Sequence, residues 1–185
     1  MQWEDYAANG FPNTTRDGYM AENVGWLRAQ LPAGARMMLW AHDLHVSRAP
    51  GWMGSVLGLQ SGTDYVNVGF AFGTGMFNAF PTDAEGQITG PVGPQAAPPS
   101  TLDGFDAPAL ATRVPLFLLD ARRVTDAGAP ATFTGPVPVR MVGATYDPGA
   151  AATTYDYPTQ LPHDFDLMIY VQTSTASTLL PFRYQ

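Results

Sequence analysis

The spacing of apolar residues predicts a helix near the start of the chain, over residues 14–27. Its apolar stripe follows the helical intervals of three and four residues and consists of Tyr19, Met20, Asn23, Trp26 and Leu27. Asn23 is the polar member, and an amide that faces inward with the stripe needs hydrogen-bonding partners. The proline and glycine of residues 31–34 end this helix.

Short apolar runs bounded by glycine, proline or polar residues predict the strands of a sheet. These runs cover residues 36–41, 65–72, 114–120, 138–144 and 166–171. The first is continuously apolar after Arg36, which is typical of a strand buried on both faces. A second helix, from Met53 to about Gln60, lies between the first two runs. A helix between apolar strands favours an α/β fold with a mostly parallel or mixed sheet flanked by helices.

Glycine and proline, 19 and 17 of 185 residues, predict long loops between these elements within one domain over residues 1–185. Residues 81–99 have no period and are predicted to form a surface loop. Ser100-Thr101-Leu102-Asp103 resembles a capping box that opens a short helix. A further loop contains Asp147-Pro148-Gly149.

The charge and the missing residue types exclude several functions. A formal charge of −7 with nine arginines and no lysine argues against a nucleic-acid or membrane-surface partner, although a local arginine site is allowed. The absence of cysteine excludes disulfides, iron–sulfur clusters, Cys-ligated zinc and thiolate nucleophiles, and we expect no cofactor. No stretch resembles a membrane span or a signal peptide, and the compartment stays open.

The densest group of ionisable residues is His42-Asp43-Leu44-His45, where an apolar run turns polar. A histidine at such a strand end can exchange a proton near neutral pH, and a neighbouring carboxylate can fix its tautomer. The alternative is that one imidazole is only a structural hydrogen-bond donor. A metal site would need a third ligand from elsewhere. His163, between Pro162 and Asp164, is predicted to be solvated or to make a local turn bond.

Arg16 and Asp17 open the first predicted helix. The helix dipole explains an acidic residue in a first turn, but it disfavours the adjacent arginine. Arg16 is therefore a candidate anchor for a carboxylate or a developing oxyanion. Two other motifs are weaker: the glycine-rich 69–75 segment lacks a phosphate-loop lysine and indicates a bend or close packing, and Ser55 lacks a nucleophile elbow.

In their order along the chain, these segments resemble the erythromycin esterase family, which includes succinoglycan biosynthesis proteins. The matching motifs are Arg16-Asp17-x-x-Met20-Ala21-Glu22-Asn23, Leu39-Trp40-Ala41-His42-Asp43-Leu44-His45-Val46, Met53-Gly54, Tyr65-x-x-Val68-Gly69-Phe70-x-Phe72, Phe117-Leu118-Leu119-Asp120-x-Arg122, Arg140-x-x-Gly143-Ala144-x-Tyr146 and Phe165-Asp166-x-x-Ile169-Tyr170.

The resemblance implies a hydrolase in which a histidine-activated water opens an ester such as a macrolide lactone. It implies catalytic roles for His42, His45 and Arg16, and substrate-binding or supporting roles for Asp17, Asn23 and Asp43. No metal or cofactor is implied. Asp43 departs from the asparagine that is usual in the family, and its added charge should favour protonated forms of the adjacent imidazoles.

A second departure concerns the family's general-base histidine, which lies in a Gly-Glu-x-x-His-Gly segment that residues 1–41 do not contain. The chain therefore resembles the C-terminal half of a family member, and we expect little or no lactone esterase activity from it alone. The expected ligand is a small-molecule ester or lactone. Exposed apolar surface should be covered by dimerisation or an N-terminal partner fragment. The alternative is a non-catalytic small-molecule-binding or structural domain that retains the fold.

Overall fold

The computed structural model describes residues 13–97, 104–124, 133 and 135–181. Its α-helices are α1 (Asn13–Ala29), α2 (Asp43–Val46), α3 (Met53–Ser61), α4 (Asp106–Ala111) and α5 (Leu161–Asp164). Its strands are β1 (Val68–Pro81), β2 (Gly93–Ala97), β3 (Leu116–Asp120), β4 (Val137–Arg140), β5 (Thr145–Tyr146), β6 (Asp156–Thr159) and β7 (Leu167–Ser174). None of the described helices has the length and apolar character needed to cross a bilayer.

The main sheet is mixed, as predicted. Its strand order is β2-β1-β7-β3, with β5 added beside the end of β1. The central strands β1 and β7 are parallel, while β2 and β3 run antiparallel to their neighbours. Strands β4 and β6 form a separate antiparallel pair. Parallel strands need a long connection, and here the whole segment between β1 and β7 supplies it.

The main core packs around β7. Met168 and Tyr170 are completely buried, and Phe105, Leu161 and Phe165 from the flanking segments are at most 1% exposed. Burying a side chain of this size contributes roughly 1.5–3 kcal/mol. The core thereby fixes the sheet against the segments around α4 and α5.

Close packing explains the glycine-rich segment after the start of β1, as predicted. A Cβ on Gly69 would collide with Met168, and one on Gly73 would collide with the Tyr170 hydroxyl. Gly75 has a φ of 117°, and a Cβ there would collide with the Ser174 backbone. Glycine is needed at position 75 both for its conformation and for the close approach of β7.

The predicted strand over residues 36–41 is wrong. This segment has no strand assignment, and Met38 and Trp40 are 89% and 84% exposed. Met37 and Leu39, which alternate with them, are half-buried. The apolar run therefore has one half-buried face. On the other face the Phe70 ring lies 5.7 Å from the Trp40 ring, but within the described residues both Met38 and Trp40 stay largely exposed.

Helix α1 forms where it was predicted, but its buried face differs from the predicted stripe. Asp17 and Ala21 are buried, and Ala21 packs with Met53 and Leu57 of α3. Trp26 is 65% exposed, and Asn23 faces outward, so the predicted inward orientation of Asn23 is wrong. The small Ala21 side chain permits the close approach of α3. Met20 of the predicted stripe packs against the same cluster, whereas Trp26 and Leu27 are exposed.

The segment predicted as a loop over residues 81–99 contains the edge strand β2. Pro94 stands within this strand, and proline is tolerated at an edge because its missing N–H is not needed by a further neighbour. A short helix does follow the predicted capping box, at Asp106–Ala111. The box itself, at residues 100–103, lies outside the described residues.

Candidate active site

Helix α2 carries the histidine pair on a single turn between the extended segment 36–41 and α3. His42 is its N-cap residue, and the Leu44 N–H donates to His42 Nδ1 over 3.3 Å. His42 Nε2–H donates to the carbonyl oxygen of Val142 over 2.9 Å. Both ring nitrogens of His42 are therefore bound to backbone groups, which matches the structural alternative raised from the sequence.

His45 has a different environment, between the carboxylate of Asp17 and the guanidinium of Arg16. Its Nδ1 lies 2.8 Å from Asp17 Oδ1, and its Nε2 lies 3.1 Å from Arg16 Nη1. Because arginine can only donate, Nε2 must accept this bond and Nδ1 must carry the proton that points to Asp17. The imidazole is thus held in the tautomer whose Nε2 lone pair faces outward.

Asp17 connects this histidine to α3. Oδ1 also accepts a hydrogen bond from the Met53 N–H over 2.9 Å, and the residue is only 1% exposed. The helix-dipole interpretation of Asp17 is wrong, since α1 begins at Asn13 and has no acidic residue in its first turn. The buried Oδ2 atom makes no hydrogen bond within the described residues and is available to a further donor.

Asp43 turns away from both imidazoles and toward the sheet. Its Oδ2 accepts a hydrogen bond from the Phe70 N–H over 2.9 Å. Burial raises the pKa of Asp43 to about 7, against the opposing effect of that hydrogen bond. Burial also lowers the pKa of His42, with a further lowering by His45. The expectation that Asp43 favours a protonated imidazole is therefore wrong for His42.

The structure brings four of the six predicted site residues together. Arg16, Asp17 and His45 are in direct contact, and the ring centre of His42 lies 6.4 Å from that of His45. Asp43 shares α2 but faces β1, and Asn23 lies on the exposed side of α1.

Sequence reasoning missed Trp52, whose ring meets the His45 ring edge to face at 5.6 Å. The sequence signal that could have found it is its position directly before the Met53-Gly54 motif.

The third histidine belongs to another place in the fold. His163 Nδ1 lies 2.8 Å from Asp164 Oδ1, which agrees with the predicted local turn bond. Both residues line an open surface cleft of about 370 Å³, whose other lining residues are Ala49, Pro50, Pro136, Tyr157, Pro158 and Gln160. Within the described ranges, no three His, Asp or Glu side chains are grouped closely enough to hold a metal ion.

Arg16 and Asp17 of α1 therefore meet His45 of α2 in one hydrogen-bonded group. The family model for erythromycin esterase matches residues 2–174, and the chain belongs to this family. No curated protein matches the chain by sequence.

Three solved structures share the fold. A Bacillus cereus protein superposes with a TM-score of 0.72 at 21% identity, over 92% of this chain and 40% of that one. A succinoglycan biosynthesis protein superposes with a TM-score of 0.69 at 18% identity, over 88% of this chain and 39% of that one. An erythromycin esterase mutant in its open conformation superposes with a TM-score of 0.58 at 16% identity, over 92% of this chain and 40% of that one. The chain thus spans about 40% of the length of these neighbours.

Proposed function

We propose that this chain provides the His45 side of an active site that hydrolyses a carboxylic ester or a lactone, including macrolide lactones. The observation that carries the proposal is the continuous contact from Asp17 through His45 to Arg16. Acyl-transfer chemistry uses a carboxylate that orients an imidazole, together with a cation near the unprotonated ring nitrogen. Membership of the erythromycin esterase family supports the same reaction class.

In the proposed reaction, His45 Nε2 takes a proton from water as the water oxygen attacks the ester carbonyl carbon. Arg16 stabilises the negative charge that forms on the carbonyl oxygen. The carbon–oxygen bond to the leaving group then breaks, and His45 returns its proton to the departing alkoxide. Arg16 must leave Nε2 for the water to bind there, and its exposed position permits that movement.

His42 has a supporting part in this proposal. Its two backbone bonds join α2 to the carbonyl of Val142, and they hold the turn on which His45 lies. A catalytic role for His42 stays a prediction, and such a role would require one of these bonds to open.

We infer that the rest of the active site comes from polypeptide that corresponds to the remaining part of the family fold, in the same protein or in a partner. The structural neighbours are much longer than this chain, and the apolar side chains of Met38 and Trp40 are almost fully exposed. The Gly-Glu-x-x-His-Gly segment, which holds the family's general-base histidine, would lie in that part, so in residues 1–185 alone His45 has to take the proton in its place. Hydrolysis by residues 1–185 alone should therefore be weak.

The test measures cleavage of p-nitrophenyl acetate and of a macrolide lactone by the purified chain. We expect slow cleavage of the activated ester, a decrease of about 10-fold or more in His45→Ala, and little lactone opening. His163→Ala is the matched control, because His163 also pairs with an aspartate but lies outside the site. An unchanged rate in His45→Ala contradicts the proposed chemistry, and rapid lactone opening contradicts the incomplete site.

A second candidate is a non-catalytic domain that binds a small molecule. The open cleft beside His163 favours it, because proline and tyrosine side chains line the cleft together with a few polar groups. Ligand-induced NMR shifts at His163 without any His45-dependent hydrolysis would favour this alternative.

A further inference from the structure

A buried amide lies directly behind the histidine turn. Asn67 is 3% exposed and precedes β1. Its Nδ2 donates to the carbonyl oxygens of Val46 and Asp164, over 2.8 and 2.7 Å. Its Oδ1 accepts from Arg48 Nη1 and from the Asp166 N–H, over 3.1 and 2.9 Å. The amide thus uses both of its donors and both acceptor positions.

The Val46 carbonyl receives a second hydrogen bond, from Tyr65. The Tyr65 hydroxyl donates to it over 2.7 Å, and burial raises the pKa of Tyr65 to about 12, so the hydroxyl retains its proton. Val46 is the last residue of α2 and follows His45. Two side chains from outside the helix therefore hold the carbonyl at its C-terminus.

These two donors are themselves fixed to the sheet. Asp166 Oδ2 accepts from Arg48 Nη2 over 2.6 Å and from the Asn67 N–H over 2.9 Å. The Arg48 guanidinium lies over the Tyr65 ring, 5.3 Å from its centre. A single helical turn is not stable by itself, so the orientation of α2 depends on such outside contacts.

We propose that Tyr65 and Asn67 are positioning residues that set the direction of the His45 imidazole by holding the Val46 carbonyl. The catalytic consequence rests on the proposed function, whereas the effect on the imidazole does not. When one donor is lost, α2 can rotate, and the His45 Nδ1–H to Asp17 bond loses its alignment. A misplaced base reduces the rate more than it reduces stability.

The first measurement uses Tyr65→Phe, which removes the hydroxyl and keeps the ring over which Arg48 lies. Long-range ¹H–¹⁵N NMR of the histidine rings reports the tautomer of His45. We expect a smaller Nδ1–H population and shifted ring signals for His45. The control is Tyr155→Phe, which removes the hydroxyl oxygen that accepts a hydrogen bond from the Asp147 N–H, away from the histidine turn. His45 signals identical in both variants and the unmodified chain would overturn the proposal.

The second measurement is His45-dependent cleavage of p-nitrophenyl acetate. Tyr65→Phe should reduce it about 5-fold or more, with Tyr155→Phe unchanged and with a similar thermal midpoint for the two variants. If Tyr65→Phe alters the His45 ring signals but hydrolysis does not depend on His45, the positioning role is retained and the proposed function is rejected. An unchanged rate in Tyr65→Phe, in a chain whose hydrolysis does depend on His45, would reject the catalytic consequence of positioning.

Discussion

Asp43 makes the stability of this fold dependent on pH. Burial raises its folded pKa from 3.8 to about 7, so the folded protein binds a proton that the unfolded chain has already lost in that interval. The stabilising contribution of the protonated carboxyl is complete below about pH 4 and is lost as the pH rises through 7. Asp43→Asn removes this titration and retains an oxygen that can accept the Phe70 N–H.

We therefore expect Asp43→Asn to raise the free energy of unfolding at pH 8 by on the order of 1–3 kcal/mol, with a smaller gain at pH 5. Urea unfolding of the variant and the parent chain at the two pH values measures this change in the free energy of unfolding. Comparing the variant with the parent chain at each pH cancels the titration of His42. A gain that is equal at pH 5 and pH 8 would contradict the raised pKa of this half-buried carboxyl.

His42 gives a dependence of opposite sign. Its folded pKa lies below the ordinary 6.5, so the unfolded chain takes up a proton first and stability is lost as the pH falls below about 6.5. His42→Ala should cost about 1–3 kcal/mol near neutral pH, because the Leu44 N–H and the Val142 carbonyl lose their partner. This cost should shrink at pH 5, where protonation already weakens the native contacts.

The same urea measurement tests this prediction, with His163→Ala as the control. His163 is 58% exposed, and its removal should change stability little. A cost for His42→Ala that stays constant from pH 8 to pH 5 would contradict the lowered pKa, because it would mean that folding does not change the protonation of His42.

At the residue scale, the sequence motifs named side chains that do meet in the structure, and the roles of those side chains stay predictions. Arg16, Asp17 and His45 do lie together, although Arg16 and His45 are 29 positions apart. Periodicity did not reveal that Asp17 is a buried partner of His45, because an aspartate early in a helix already has a local explanation. The Val142 carbonyl that holds His42 is 100 residues away and carries no side-chain signal.

At the scale of elements, the close contact between α2 and α3 depends on Gly54. A Cβ at this position would collide with the carbonyl oxygens of Val46 and Ser47. Gly54→Ala should push α3 away, weaken the Met53 N–H bond to Asp17 and cost about 1–3 kcal/mol. Thermal or urea unfolding measures the loss.

Gly58 provides the control in the same helix. A Cβ there meets only the flexible side chain of Arg48, at 3.4 Å. Gly58→Ala should be neutral or should stabilise by up to about 1 kcal/mol, because alanine has the higher helix propensity. Similar destabilisation by both substitutions would mean that the collision at Gly54 is not the cause.

The elements that were predicted best are those whose cover is local. Helix α3 and strand β7 have their apolar contacts within the described residues, and both formed where they were expected. Residues 36–41 have the composition of a doubly covered strand, yet only one face is covered. A strand needs neighbours as well as propensity, and the apolar run cannot indicate whether those neighbours belong to the described residues.

At the scale of the whole molecule, the pattern of helices between apolar runs predicted the mixed sheet, and the order of many short motifs predicted the family. No single motif was enough to predict the sheet or the family. The strand order β2-β1-β7-β3 could not be predicted from the sequence, because β2 lies in a segment with the composition of a loop. The candidate site has the same character: Arg16, Asp17 and His45 could be named from the motifs, but the Val142 carbonyl and the Trp52 ring that contact the histidine pair could not.

The exposed pair Met38 and Trp40 gives a prediction about the whole molecule. We expect the purified chain to self-associate as its concentration rises, because association removes this apolar surface from water. Replacing both residues by serine should abolish the association measured by light scattering and change the free energy of unfolding by less than about 0.5 kcal/mol, since neither side chain is buried. Ile88→Ser is the control, because Ile88 is also exposed, at 59%, but lies elsewhere. Trp40 contacts Phe70 near the start of β1, whereas Ile88 pairs with Thr82, just after the end of β1. If the chain remains monomeric at high concentration, the proposal that additional polypeptide covers Met38 and Trp40 is contradicted. The same holds if Ile88→Ser also abolishes the association.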